Sequence, residues 1–308
     1  MIKYVKLILI ILLSSIISFA FVLSTNTKEI YAGSDPIDYW AVVIGISDYQ
    51  HFNQRPWFPK PVKGYDLFHS ADDANEIAVK LGSIWGADHI KLLVDSQATK
   101  SSIQNAITGW LDSKEDIDDV VLFYFSGHGQ QQGIDEYILW PYDTSAISDE
   151  NEIKDDMFDS WLRCLESEQQ VIIIDSCNSG GFIEELYKYG RIVVTSCSKD
   201  EESYEKSLQD HSIFTHFLLE AFNNLNNIDS NSNNSISIQE IFNWVKQKTI
   251  FSANIRLRSQ NPQICDCIYK QLGIINIIGN RGETLFYIIN TFLIVIIMFL
   301  LILWNKNV

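Results

Sequence analysis

Between residues 37 and 273, short apolar, β-rich runs alternate with helical patterns, and this restricts the fold more than any other feature of the chain. Tyr39–Ile46 (YWAVVIGI), Ile90–Val94, Val120–Phe125, Val171–Ile174 and Arg191–Ser196 are each too short for a helix. Tyr39–Ile46 is continuously apolar, the pattern of a strand covered on both sides. Among these runs, residues 70–83 carry Ala71, Ala74, Ile77, Ala78 and Leu81 at helical spacing, and Ser101–Leu111 carries Ile103, Ile107 and Trp110/Leu111 on one face. Strands that alternate with helices imply an α/β domain around a mostly parallel sheet. No internal repeat or long linker interrupts the span.

The two ends read differently. Lys3 and Lys6 precede a charge-free apolar run from Leu7 to Leu23, so residues 1–32 are a signal peptide or a retained membrane anchor. Leu285–Trp304 is twenty residues without a charge, and only Asn290 and Thr291 are strongly polar. At 1.5 Å per residue a helix of that length spans about 30 Å, the thickness of a bilayer's hydrocarbon core. Residues 285–304 are therefore expected to be a transmembrane helix. Lys3, Lys6 and Lys306 put both ends in the cytoplasm by the positive-inside rule, with Arg281 as a dissenting charge. The middle domain is thus expected on the extracytoplasmic side of a membrane.

The net charge is −16, and the ends contribute little of the acidity. A sequence-independent nucleic-acid binder needs the opposite sign, so no nucleic-acid partner is expected. An acidic exterior suits solubility, divalent cations or basic peptides.

In open sheets of this kind, sites form where strands end at their carboxyl side. The third strand runs into Ser126-Gly127-His128-Gly129, and the fourth into Asp175-Ser176-Cys177-Asn178-Ser179-Gly180-Gly181. An imidazole and a thiol therefore leave the sheet at one edge. A thiol is a weak nucleophile until it ionises, and an imidazole can take its proton. The glycines flanking His128 leave its ring accessible, and the small residues after Cys177 leave room for a substrate chain. Backbone N–H groups at Gly129 and Cys177 are the candidate oxyanion hole.

VVLFYFSGHG followed by VIIIDSCNSGG resembles the caspase-like cysteine peptidases, most of all the metacaspases. His128 lies 49 residues before Cys177, near the spacing of about 50 in caspases. YWAVVIGISDY, SADDANEIAVKL, TSCSKDEESYEKS, SIFTHFLLEAF and NPQICDC extend the similarity over roughly residues 39–268. The resemblance implies a caspase-like three-layer domain over 37–273, with a mostly parallel six-stranded sheet flanked by helices. It implies Cys177 as nucleophile, His128 as general base and acid, and an acyl-enzyme. No cofactor is required for that chemistry, and the partner is a peptide or protein substrate.

The caspase nucleophile motif has Gln-Ala before the cysteine, whereas this chain has Asp175-Ser176. The metacaspase pattern places one acid two residues before the cysteine and a second in the Asp-Ala motif, here Asp73. Two carboxylates at a pocket floor would select Arg or Lys, and a substrate with basic residues is the expectation. Without a substrate, Asp73 reads as a helix N-terminal acid and Asp175 as a buried carboxylate holding its loop.

Two calcium sites are candidates. By resemblance, Asp155 and Asp156 with Asp143 and Glu184 would form the first. The second is Asp229-Ser-Asn231-Ser-Asn233-Asn234-Ser235-Ile236-Ser237-Ile238-Gln239-Glu240, an EF-hand-like loop between the last helices. Asp229, Asn231, Asn233, Ser237 and Glu240 fall at loop positions one, three, five, nine and twelve, and Ser235 at seven, where the ligand is the carbonyl. Asn234 replaces the usual glycine, and only two carboxylates are present, so binding would be weak. The alternative is a polar linker ending in a helix cap.

Cys197 and Cys164 read as packing residues, and Cys265 and Cys267 as side chains facing one way on a strand. Pairing among these four cysteines is left open. Lys199 and Lys206 mark a polar stretch where self-cleavage would fall. Two other functions compete: a legumain-like Asn-specific peptidase, disfavoured by Asp175-Ser176-Cys177, and a catalytically silent membrane module that senses calcium or a protein. Labelling of Cys177 by a peptidyl chloromethyl ketone separates enzymes from module.

Overall fold

The computed structural model describes residues 37–51, 66–145, 150–205, 211–268 and 272–276. Both expected membrane segments, 1–32 and 285–304, lie outside these residues, as does Lys206. Among the described residues, no helix is long and apolar enough to cross a membrane.

Six strands form the central sheet: β1 (Tyr39–Gly45), β2 (Ile90–Val94), β3 (Val120–Ser126), β7 (Gln170–Asp175), β8 (Arg191–Thr195) and β10 (Gln263–Asp266). Their spatial order is β10-β8-β7-β3-β1-β2. All neighbours are parallel except β10, which runs antiparallel to β8. This is the mostly parallel six-stranded sheet expected from the sequence.

The period of two along each strand sorts its residues into two cores. Ala41, Val43, Leu122, Tyr124, Val171, Ile173, Ile192 and Val194 face one side. There they meet Ala74, Ile77 and Leu81 of α1 (Ser70–Trp85), together with Phe214, Leu218, Ile241 and Val245 from two later helices. Val42, Ile44, Val121, Phe123, Phe125, Ile172, Ile174 and Val193 face the other. They pack on Ile103, Ile107 and Leu111 of α2 (Lys100–Asn105, continuing with π pitch through Leu111), on Phe158, Trp161 and Leu162 of α3 (Asp155–Leu162), and on Phe182 and Leu186 of α4 (Phe182–Leu186). Both faces are covered, which is why the strands read as continuous apolar runs.

A small antiparallel sheet, β4 (Gly129–Gln132), β5 (Glu136–Leu139) and β6 (Ile153–Lys154), follows the His128 loop. After β8 come α5 (Ile213–Asn223), the single turn α6 (Leu225–Ile228) and α7 (Ile238–Ile255). β9 (Ser235–Ser237) pairs antiparallel with β11 (Gly273–Asn276). Gly45, the last residue of β1, has no room for a side chain: a Cβ there would lie 2.2 Å from the Ser70 carbonyl oxygen and 2.4 Å from the Ala74 Cβ. That close approach brings the start of α1, and with it Asp73, against the carboxyl edge of the sheet.

Below this edge, Asp159 of α3 is fully buried and pairs with Arg191 at 2.6 Å, with Lys188 at 2.7 Å and with Arg163. Cys164, expected as a packing residue on a helix, instead sits exposed just past the end of α3. At the end of α3 the Arg163 N–H donates to the Asp159 carbonyl and the Cys164 N–H to the Trp161 carbonyl, the second a tighter three-residue turn.

Candidate active site

Ser126 and Asp175 are direct partners in the parallel pairing of β3 with β7, and the Gly127 N–H donates to the Asp175 carbonyl at 3.2 Å. His128 and Cys177 each lie two residues beyond that pair, and both are half-buried. The loops touch: a Cβ on Gly129 would lie 2.4 Å from Ser176 Oγ and 2.8 Å from the Cys177 carbonyl oxygen. Only a glycine allows this contact, so the residue carrying one candidate oxyanion N–H is held against the residue carrying the other.

Asn178 follows Cys177 with φ of 57°, a left-handed conformation that Asn tolerates. Its N–H donates to the Glu201 carbonyl at 2.9 Å, and its side-chain amide to the Lys199 carbonyl at 2.8 Å. The segment after β8 thus lies over Cys177, whose thiol points to the Ser203 carbonyl at 3.8 Å. Glu201 anchors that segment by accepting from Ser198 N, Asn261 N and the side chains of Ser259 and Asn261. Burial alone would raise the Glu201 pKa, but these donors outweigh it and hold the carboxyl at about 2.

Two aromatic residues that the sequence reading did not select flank His128. The His128 N–H donates to the Tyr49 hydroxyl at 2.8 Å, and the Tyr49 ring stands 5.0 Å from the imidazole. Trp140 meets the imidazole edge-on at 5.5 Å, and the Trp140 backbone N–H donates to the His128 carbonyl at 3.1 Å. Burial pushes the Tyr49 phenol far above its ordinary range, so it stays neutral.

Asp73 and Asp175 are brought together beneath the loops. Asp175 accepts from Ser203 Oγ at 2.7 Å, from Thr215 Oγ1 at 2.8 Å and from Ser212 Oγ. Asp73 accepts from Ser126 Oγ at 3.0 Å, from His211 Nδ1 at 2.9 Å and from Ser212 N at 3.2 Å. Their exposures are 0% and 3% for Asp73 and Asp175, so each charge is held by this chain's own donors. Burial, reinforced by the nearby Asp175 charge, lifts the Asp73 carboxyl to about 6 against the bond from His211. Ser126, Ser203, Ser212, Thr215 and His211 escaped the sequence reading, because they converge from three separate segments.

The first set of calcium candidates is not gathered at one point. Asp143 accepts from Lys100 N, Asp155 from Tyr137 N and Asp156 N, and Asp156 from Met157 N, while Glu184 is exposed on α4. Among the described residues, the acids close enough to share a cation are Asp116, Asp118 and Asp119.

The second set does form a closed loop. Asp229 accepts from Asn233 N and Asn234 N, Asn231 from Asn233 N, and Asn233 from Ser235 N. Asn234 has the positive φ (62°) of the turn position. Ser237 and Glu240, read as loop ligands nine and twelve, form a capping box at the start of α7. Glu240 also accepts from Ser230, and the sum of these bonds lowers its pKa despite burial.

A family model for the caspase domain matches residues 38–272. The chain belongs to the caspase-domain family. It is related to the metacaspases, being 32% identical over 120 residues to Metacaspase-1 of Plasmodium falciparum (isolate 3D7), a match covering 33% of this chain and 19% of that relative. The chain thus spans only about a fifth of the curated relative's length. Solved structures agree on the fold. Caspase-1 from Spodoptera frugiperda superposes with a TM-score of 0.53 at 12% identity, over 78% of this chain and 90% of that one. Protein GSU0716 from Geobacter sulfurreducens gives 0.53 at 14% identity, over 78% and 97%. Family membership places this domain among the caspase-fold cysteine peptidases, whose chemistry needs no cofactor.

Proposed function

We infer that the chain is a cysteine endopeptidase in which Cys177 attacks the scissile carbonyl and His128 takes the thiol proton, then delivers it to the leaving amine. Water, deprotonated by the same imidazole, releases the acyl group from sulfur. The N–H groups of Gly129 and Cys177 face the developing oxyanion. The observation that carries this reading is the pairing of Ser126 with Asp175, which sets the two loops side by side.

The bond cut follows Arg or Lys. Two carboxylates sit beneath the nucleophile, and Ser203 links one of them to it: its hydroxyl donates to Asp175, and its carbonyl lies near the Cys177 thiol. A substrate guanidinium would exchange with hydroxyl donors such as Ser203 and Ser212. The apolar run at 285–304 anchors the domain to a membrane, on its extracytoplasmic side, and the 229–240 loop takes calcium weakly.

The test is a fluorogenic peptide library with Arg, Lys, Asp or Asn before the reporter, run with and without calcium on the intact chain. Turnover confined to Arg and Lys, and lost in Cys177→Ala, is the expected result. Equal turnover of Asp and Arg peptides would refute the specificity, and full activity of Cys177→Ala would refute the mechanism.

A further inference from the structure

The peptidase chemistry leaves one pair of thiols unused. Cys265 on β10 and Cys267 just beyond it have their sulfur atoms 3.6 Å apart. The alternation of an extended chain places both on one side, and the intervening Asp266 points away, bonded to Gln239 Nε2 at 2.8 Å. β10 is the last strand of the sheet, so one of its edges has no strand partner among the described residues. Both sulfur atoms belong to half-buried residues. The backbone on either side is fixed: Cys265 is in register with Val193, Cys267 N donates to the Arg191 carbonyl at 2.9 Å, and the Cys267 carbonyl accepts from Gly190 N.

We propose that Cys265 and Cys267 form an exchangeable dithiol–disulfide site whose oxidant is a small-molecule disulfide. The Cys267 thiolate attacks one sulfur of that disulfide, forms a mixed disulfide and releases one thiol. The Cys265 thiol, on losing its proton, attacks the Cys267 sulfur and releases the second thiol. Two protein thiols are oxidised by two electrons, one external disulfide is reduced to two thiols, and the two protons end on the departing sulfurs. Burial and the neighbouring Cys267 push the Cys265 thiol up to about 12, which makes it the resolving partner.

The closed form is easily reopened. Two residues of extended strand span about 6.6 Å between Cα atoms, at the top of the range a disulfide accepts. Strained disulfides are the more oxidising and labile ones. The site is remote from Cys177 in role: it needs neither His128 nor a peptide substrate.

The full-length chain in detergent is equilibrated with graded mixtures of reduced and oxidised glutathione, acid-quenched, alkylated with N-ethylmaleimide and digested with trypsin. Cleavage after Arg258 and Lys270 yields one peptide, residues 259–270, holding both cysteines and no other. As oxidised glutathione rises, this peptide shifts from a doubly alkylated form to an unalkylated form lighter by two hydrogen atoms, and excess reduced glutathione reverses the shift. Cys265→Ser and Cys267→Ser each convert the product to a single glutathione adduct. Double alkylation in every mixture, a persistent glutathione adduct in the unaltered chain, or linkage of this peptide to the one containing Cys164 would overturn the proposal.

Discussion

Ser126 and Asp175 face each other across adjacent parallel strands, and the chain continues from each through one further residue to His128 and to Cys177. The same two residues also connect downward. Ser126 donates to Asp73, while Asp175 receives three hydroxyls. The level that holds the two reactive groups is thus built on the level that holds the two acids, and substitutions can be aimed at each separately.

Cys177→Ala removes the nucleophile from a half-buried loop without opening a core cavity. Peptide hydrolysis and chloromethyl ketone labelling should both vanish, while the melting temperature stays within a few degrees. His128→Ala should lower kcat by about 100- to 10,000-fold and leave slow labelling. The check is kcat on a basic fluorogenic peptide beside a thermal melt of each variant.

Asp73 carries a raised pKa, so in the native state it binds its proton more tightly than in the unfolded chain. By linkage, this group's contribution to stability falls as pH rises from about 4 to about 6. Recognition runs the other way, because a cationic side chain is attracted only by the ionised form. The ratio of kcat/KM for an Arg peptide to that for a matched uncharged peptide should rise through about pH 6. Asp73→Asn should flatten that rise, and the ratio, unlike either rate alone, cancels the titration of His128.

Asp159 should behave oppositely. Burial works to raise its pKa, but bonds from Lys188, Arg191 and Arg163 prevail and hold it at about 2. Its stabilisation is complete above the unfolded carboxyl pKa near 4 and is lost as pH falls toward 2. Asp159→Ala would strand the buried Arg191 guanidinium and should cost about 3–5 kcal/mol. Urea unfolding at pH 7 and at pH 3 tests both points, since the variant should lose the part of the difference between the two that Asp159 contributes.

The sheet was legible because both its faces are covered: β1, β3 and β7 are apolar runs that no helix of that length could use. His128 and Cys177 were legible because each follows such a run directly. The donors around Asp73 and Asp175 were not, since Ser126, Ser203, His211 and Thr215 are ordinary polar residues until folding converges them. β9 and β11, with three and four residues, are too short to show a period. Ser237 and Glu240 show the limit of pattern: one spacing serves an EF-hand loop and a capping box, and the capping box is present in the structure.

Tyr49 is a residue that sequence reading passed over and that touches His128 at both its backbone and its ring. Its hydroxyl accepts from the His128 N–H, and its ring lies against the imidazole, itself edge-on to Trp140. Tyr49→Phe keeps the ring and removes the acceptor, leaving a partly buried N–H without that partner, at a cost of about 1–3 kcal/mol. The His128 loop would then be free to shift relative to Gly129 and Cys177, which are held by their own contact. Because the loop carries the base and not the acids, kcat should fall by about 10-fold or more, while KM for a basic peptide changes little. A pH–kcat/KM profile gives the sharper readout: in the variant its lower limb should move, because that limb reports the imidazole in the free enzyme. An unchanged profile with a proportionate loss of melting temperature would mean that Tyr49 supports only the fold.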